Sequence, residues 1–395
     1  FGGVSVTEGA VAIASEAALG APGGLLSLAG EGRLITLAPM TLEREVRFES
    51  GAATVEVAGG PVTLAGALTG GGGLRKTGTG VLILEGASSL SGLDIVDGTL
   101  VAASSSALGA ADGAIVLRDG ARFTAGNDLN VSQSLTVAGG DARVDTGAHT
   151  VTVTGALRGD NCLIKVGSGT LNLLAPGANA IGACVQEGRL SFNNLFEGDV
   201  RVDAGGVAGG SGFILGDVTV DGVLAPGNSP GRMVVAGSVA LGAGGRLDLD
   251  IDGSTPGVGA GRYDTLVLTG ANSVFTAAGA IAPITRGITG EATNNYTPPI
   301  GATFQVVTAE GGVIGRFDSL LQPATGLPAN GRFEVVYRPN AVILAVTPDR
   351  YAALPAGVVN ARAVGAAADA LRASGATAFT DALIGLDEVR IAGAL

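Results

Sequence analysis

From Phe1 to about Asp252 the apolar residues fall at every second place, in short runs that end in glycine. TVEVAG (54–59), VLILEG (81–86), SLTVAGG (134–140), HTVTVTG (149–155), GDVTVDG (216–222) and RLDLDIDG (246–253) are examples. A period of two is that of a strand with one buried face. Glycine-rich ends suit tight reversals. No helical period of comparable length interrupts the series. Many short strands with small residues between them predict a solenoid, in which each coil buries its inner face on the next. A sandwich or barrel is the alternative reading.

A long-range repeat favours stacking. LRKTGTGVLIL (Leu74 to Leu84) returns as LIKVGSGTLNL (Leu163 to Leu173). The first copy runs on to GLDIVDGTLV (Gly92 to Val101) and the second to GACVQEGRLS (Gly182 to Ser191). Gly92, Gly98 and Leu100 thus match Gly182, Gly188 and Leu190. A module of strand, loop, strand, turn and strand occurs twice. Leu82, Leu84, Leu171 and Leu173 are expected to point inward. Lys76 and Lys165 are expected at an edge, with the ammonium in solvent.

Composition agrees with a turn-rich β architecture. The chain has 395 residues, 46% hydrophobic but only 4% aromatic, with 68 glycines and no tryptophan. A compact enzyme of this size usually packs its core with more rings. The net charge of -12 argues against nucleic acid and anionic membrane surfaces as partners, since both attract basic patches. No apolar run approaches the roughly 20 residues that span a bilayer. The chain opens at Phe1 without methionine or a signal peptide and reads as a piece of something longer.

The two phrases resemble the strand repeat of bacterial autotransporter passengers, written L-x-K-x-G-x-G-x-L-x-L followed by G-x-(several)-G-x-L. A third stretch agrees. GGSGFILGDVTVDGVLAPGNSPGRMVVAGSVAL (Gly209 to Leu241) resembles the passenger segment built around L-A-P-G-x-S-P-G. There Pro226-Gly227 suits a type II turn, with proline presetting φ and glycine taking φ > 0, and Pro230-Gly231 repeats that chemistry. The longer, aromatic-richer strands at 263–347 resemble the pertactin-like C-terminal passenger region, which in relatives caps the β-helix and assists its folding. A solenoid needs a cap, because its last coil would otherwise expose apolar surface and a strand edge. After Val358 the period turns helical. Val364, Ala367, Ala368 and Leu371 form one stripe, Asn360 is a candidate N-cap, and Thr377 could open a second helix.

The resemblance is strong at 74–101, 163–190 and 209–241 and weaker at 1–70. It implies an all-β, right-handed parallel β-helix over 1–260. A pertactin-like cap and autochaperone region would follow at 261–348, with a helical linker at 349–395. That linker would lead to an outer-membrane β-barrel beyond Leu395.

Cys162 and Cys184 lie 22 residues apart, near the length of one β-helix coil. Their neighbours Leu163 and Val185 look inward, which turns both sulfurs outward. Strands about 4.8 Å apart hold Cα atoms within disulfide reach. The compartment implied by the resemblance is oxidising, so a disulfide is expected. Free thiols or a mismatched register are the alternative.

Catalytic signals are thin. His149 is the sole histidine and reads as a strand-edge residue. A serine triad or histidine-rich metal site needs more. GVSVTEG and GGSG read as turns. Two carboxylate ladders stand out: Asp141, Arg143 and Asp145, and Asp248, Asp250 and Asp252. A β-helical polysaccharide enzyme would use such a face, often with calcium. A solvated face of a half-buried strand is the plainer reading, and the calcium-binding nonapeptide of glycines and aspartates is absent. No catalytic, cofactor or metal residue is assigned. The expectation is a non-enzymatic passenger segment, a structural stalk and folding module of an adhesin or self-associating colonisation factor. It would be displayed at the bacterial surface or secreted, with its own barrel and an extracellular surface ligand as partners. The alternative is a β-helical protein that degrades or binds polysaccharide.

Overall fold

The structure is a computed structural model and describes residues 2–140, 142–159, 161–175, 181–354, 361–375 and 382–394. It is an all-β parallel solenoid of about 11 turns, 8% helical, with two short helices near the C-terminus. The chain divides into two compact units, Phe1–Val207 and Ala208–Leu395.

In the first unit strands stack in parallel from coil to coil. One ladder runs from Ala10–Ile13 through Arg33–Thr36, Ala52–Val57, Gly73–Thr77, Gly92–Ile95, Ala114–Arg118 and Ser134–Ala138 to Leu157–Gly159. Alternation decides which side of each strand is core. In Ala52–Val57 the buried residues are Ala53, Val55 and Val57, each at most 1% exposed. The two repeat copies occupy equivalent rungs. Leu82 lies between Val62 and Leu100, and Leu171 between Val151 and Leu190. Leu82, Leu84 and Leu171 are fully buried and Leu173 is 6% exposed. Such columns of identical inward positions bury apolar surface at roughly 25 cal/mol per Å².

The second unit begins in the same way. Arg232–Val235 pairs in parallel with Thr265–Leu268, which pairs in parallel with Thr303–Ala309. Parallel pairing also continues at Ala280–Ile284 with Ser319–Leu320, beyond residue 260. The change comes at Ala341–Pro348, which runs antiparallel to Thr303–Ala309 and to Gly331–Arg338. Aromatic rings collect under this antiparallel end: Phe304 packs edge-on against Tyr263 at 5.2 Å and Phe333 at 6.2 Å.

The helix Ala361–Ala373 corrects the expected stripe. Ala368 is buried, but Leu371 is 41% exposed and Ala367 faces solvent. The reason is Gly365, which sits so close to the backbone at Tyr351 that an added Cβ would lie 2.8 Å from it. That approach turns Asp369 and Arg372 inward. Asp369 accepts the Tyr351 N–H at 2.8 Å, and the Arg372 guanidinium lies over the Tyr351 ring at 5.0 Å. Asn360 and Thr377 lie outside the described residues.

Candidate functional site

The repeated lysines are not at an edge. Lys76 and Lys165 are both fully buried, and they are the only lysines in the chain. Strand alternation explains the inward aim. Lys76 stands in register between Val55 and Ile95, and Lys165 between Val144 and Val185. Those four neighbours are core residues. Each ammonium is spent on backbone carbonyls at the corner where its coil turns. Lys76 Nζ donates to Thr77 O at 3.3 Å, to Gly78 O, and across to the next coil at Asp97 O, 2.8 Å away. Lys165 Nζ donates to Val166 O at 2.9 Å, Gly167 O at 2.7 Å and, on the next coil, Glu187 O at 3.0 Å. An ammonium has three donors, and here each has a carbonyl. Burial pushes both lysines down from 10.5 to about 8; Asp97 offsets this for Lys76, and Asp145 and Glu187 do so for Lys165.

The repeat's later glycine follows from this corner. Gly98 and Gly188 both have positive φ, +67° and +64°. A Cβ on Gly98 would lie 2.6 Å from Lys76 Nζ and 2.5 Å from Gly78 O, and one on Gly188 would lie 2.3 Å from Gly167 O. Lysine and glycine are thus parts of one closure between consecutive coils.

Arg44 does similar work in the region where the sequence pattern is loosest. It is 2% exposed. Its guanidinium donates to Leu19 O and Gly24 O, both at 3.1 Å, to Glu16 O at 3.3 Å and to Glu16 Oε1 at 3.2 Å. Nothing repeats around Arg44, so the sequence held no signal for it.

The two copies differ on their outer face. Cys162 and Cys184 form a disulfide with Cα atoms 5.9 Å apart. They are not direct cross-strand partners: Cys162 pairs with Gly182, and Ile164 with Cys184. The bridge therefore runs diagonally between adjacent strands, both residues half-buried. The first copy has Gly73 and Asp94 at these places. There Asp94 joins Arg75 at 3.4 Å and Arg118 at 2.7 Å.

The L-A-P-G-x-S-P-G segment lies in the second unit and departs from two successive type II turns. Pro226 ends the strand Val223–Pro226, and Gly227 has φ +91°, as the first turn requires. At the second turn the positive φ falls on Ser229 (+64°), the Ser229–Pro230 peptide is cis, and Gly231 is not left-handed. Gly231 is there for space: a Cβ on it would come within 2.5 Å of Gly227 Cα. Buried Asp264 pins the segment. Its Oδ1 accepts Gly231 N–H at 2.5 Å and its Oδ2 accepts Asp250 N–H at 2.8 Å.

The carboxylate ladders are dismantled by the fold. Asp141 lies outside the described residues. Asp145 faces Arg122 at 3.0 Å, and Arg143 pairs in register with Arg122 and Ile164. Asp248 is bonded to Arg246 on its own strand at 2.5 and 2.7 Å. Asp250 and Asp252 are buried, 8% and 2% exposed, rather than solvated. Asp252 accepts from Gly261 N, Thr293 N, Thr293 Oγ1 and Asn294 N, all at 2.7 Å. Burial would raise its pKa, but those donors together hold it below the ordinary value. His149 is partly exposed, with Asp128 at 3.8 Å as its charged neighbour. Among the described residues no three His, Cys, Asp or Glu side chains converge to hold a metal ion, and no helix is long and apolar enough to cross a membrane.

No family model matches the sequence. A stretch of 142 residues is 34% identical to the adhesin BmaC autotransporter of Brucella suis biovar 1 (strain 1330), covering 35% of this chain and 4% of that protein. The chain is thus similar to a small part of a much longer relative. The parallel β-solenoid and this partial match together fit an autotransporter passenger domain.

Proposed function

We propose that this chain is a passenger segment exported through the periplasm to the bacterial surface, held there by or cleaved from its own outer-membrane barrel. It works as a stalk and folding module of an adhesin or self-associating colonisation factor, not as an enzyme. The observation that carries this reading is the closure of successive coils by buried cations. Lys76, Lys165 and Asp252, which stand out in the sequence, and Asp264, which does not, are all turned inward and bonded to backbone. They serve geometry and leave little for chemistry. The partial match to an autotransporter adhesin supports the surface role.

The antiparallel, ring-rich end supplies the folding role. A solenoid's stability is close to a sum of coil and interface terms, and the end that buries more apolar area per residue opens last. The test is display: the chain is placed ahead of an autotransporter barrel and probed on intact cells with antibody and protease. The expected result is surface exposure and binding of cells to one another or to an extracellular surface. Deleting 263–347 should sharply slow refolding of the remaining coils. Chain retained in the periplasm, or refolding unchanged by the deletion, contradicts the proposal.

A further inference from the structure

The strand Gly331–Arg338 lies at the edge of its sheet and pairs with Ala341–Pro348 alone. Its direction of bonding follows from the register. Arg338 pairs with Ala341 across the turn at Pro339 and Asn340. In an antiparallel ladder residues alternate between bonding inward and outward. Arg332, Glu334, Val336 and Arg338 therefore bond to the neighbouring strand, while Phe333, Val335 and Tyr337 present N–H and C=O to the open side. The Gln322 side chain shows that side to be open. Its Oε1 accepts Phe333 N–H at 2.9 Å, and its Nε2 donates to Phe333 O at 2.8 Å. One residue of the edge is thus covered by a side chain that imitates a strand. Among the described residues no comparable cover bonds the backbone of Val335 or Tyr337.

A groove of about 340 Å³ runs along this uncovered length, between the edge and residues 316–320. Its charge is opposite to that of the chain. Arg316, Arg332, Arg338 and Arg372 line it, against Asp318 and Glu334. Both acids are occupied: Glu334 holds Arg372 at 3.1 Å, and Asp318 accepts Gly279 N–H at 2.8 Å. The Arg316 guanidinium lies over the Tyr337 ring at 4.7 Å. Arg338 is exposed. Among the described residues neither has a carboxylate within salt-bridge distance. A basic slot beside an open backbone edge thus stands out in a chain of net charge -12.

Edges of this kind are usually blunted, because they invite another strand. Here the blunting stops at Phe333. A free anion would answer the arginines but leave the Val335 and Tyr337 backbone unpaired. An extended acidic peptide answers both, with main-chain bonds supplying affinity and alternate side chains supplying selectivity. We propose that the edge at Val335–Tyr337 takes an extended acidic peptide as an added strand, its carboxylates meeting Arg316 and Arg338. The inference does not rest on the passenger reading.

The test uses the full chain and a short fluorescent peptide of alternating aspartate and threonine, read by anisotropy at low and physiological salt. Saturable binding is expected. Arg316→Glu with Arg338→Glu should weaken it on the order of tenfold or more. Val335→Pro should weaken it comparably, because it removes an outward N–H that the native sheet does not use, and proline is tolerated at sheet edges. A peptide N-methylated at alternate residues should also lose affinity, with charge unchanged. Unaltered circular dichroism of each variant shows that the sheet is intact. Absence of binding overturns the proposal. So does binding that falls with the arginine variants but ignores Val335→Pro and N-methylation, or that inorganic phosphate or an anionic polysaccharide displaces equally well. Either result makes the groove a simple anion site.

Discussion

The two copies of the repeat share an interior and differ outside. At 74–101 and 163–190 the same inward leucines, the same buried lysine and the same left-handed glycine recur, down to the three carbonyls each ammonium meets. On the outer face one copy carries Asp94, joined to Arg75 and to Arg118 of the following coil, and the other carries the Cys162–Cys184 disulfide, with Cys184 at the place of Asp94. The interior therefore sets the coil, and the exterior is free to take whatever couples it to the next. A lysine in such a place is unusual because burying an ammonium is costly unless every donor is met. Aliphatic neighbours on both adjoining rungs make the position a core one. Three carbonyls at the corner make it habitable.

Breaking the shared interior should have the largest effect. Lys76→Met or Lys165→Met fills the same volume but orphans the corner carbonyls. Each buried unsatisfied group costs about 1–3 kcal/mol, so a loss of several kcal/mol is expected in either copy, measured by urea denaturation. Leu82→Ala and Leu171→Ala should each cost about 2–5 kcal/mol and resemble one another. A lysine variant in one copy that is neutral, while its counterpart is severe, would separate the copies.

The outer faces should separate them instead. Removing the disulfide by Cys162→Ser with Cys184→Ser should cost about 2–4 kcal/mol. Asp94→Ala should cost about 1 kcal/mol, since ion pairs open to solvent on the arginine side are weak, and that loss should shrink in salt. Equal losses from both would show that the Asp94 ion pairs couple the coils as firmly as the disulfide.

The alternation was legible because it is a property of neighbours in the chain, and so were the inward leucines and the outward cysteines. The lysines were misplaced from sequence because a charge usually marks solvent, and only the register shows that Val55 and Ile95 flank Lys76. Asp252 and Asp264 could not be read at all. Their partners, Thr293 and Gly231, lie 41 and 33 residues away, on segments whose approach no local pattern announces. Asp248 and Asp252 look alike in the sequence, yet one bonds to Arg246 on its own strand and the other is buried. The helical stripe failed at Leu371 for a related reason: close approach at Gly365 rotated the helix, and hydrophobicity did not decide its inner face.

A smaller effect sharpens the likeness of the two corners. Both lysines titrate near 8 when folded and at 10.5 in the unfolded reference. Between those values the unfolded chain holds more protons, so stability should rise with pH. Each unit of displacement is worth about 1.4 kcal/mol. Tyr263, Tyr296 and Tyr337, raised above 10.0 by burial, pull the other way only at higher pH. The rise should therefore be sought between pH 8 and 10 in denaturation series. Each lysine-to-methionine variant should flatten it. A fall over that interval in the parent chain would reverse the assignment.

The repeated phrase encodes a corner closed from within by a buried ammonium. Because Lys76 and Lys165 are the only lysines, their enclosure can be tested by acylating the native chain with an amine-directed reagent at mildly alkaline pH and mapping the adducts by mass spectrometry. Both side chains should stay unlabelled while folded and react fully once the protein is denatured. Labelling of either lysine in the native chain at the rate of a free amine would show that its ammonium is not enclosed.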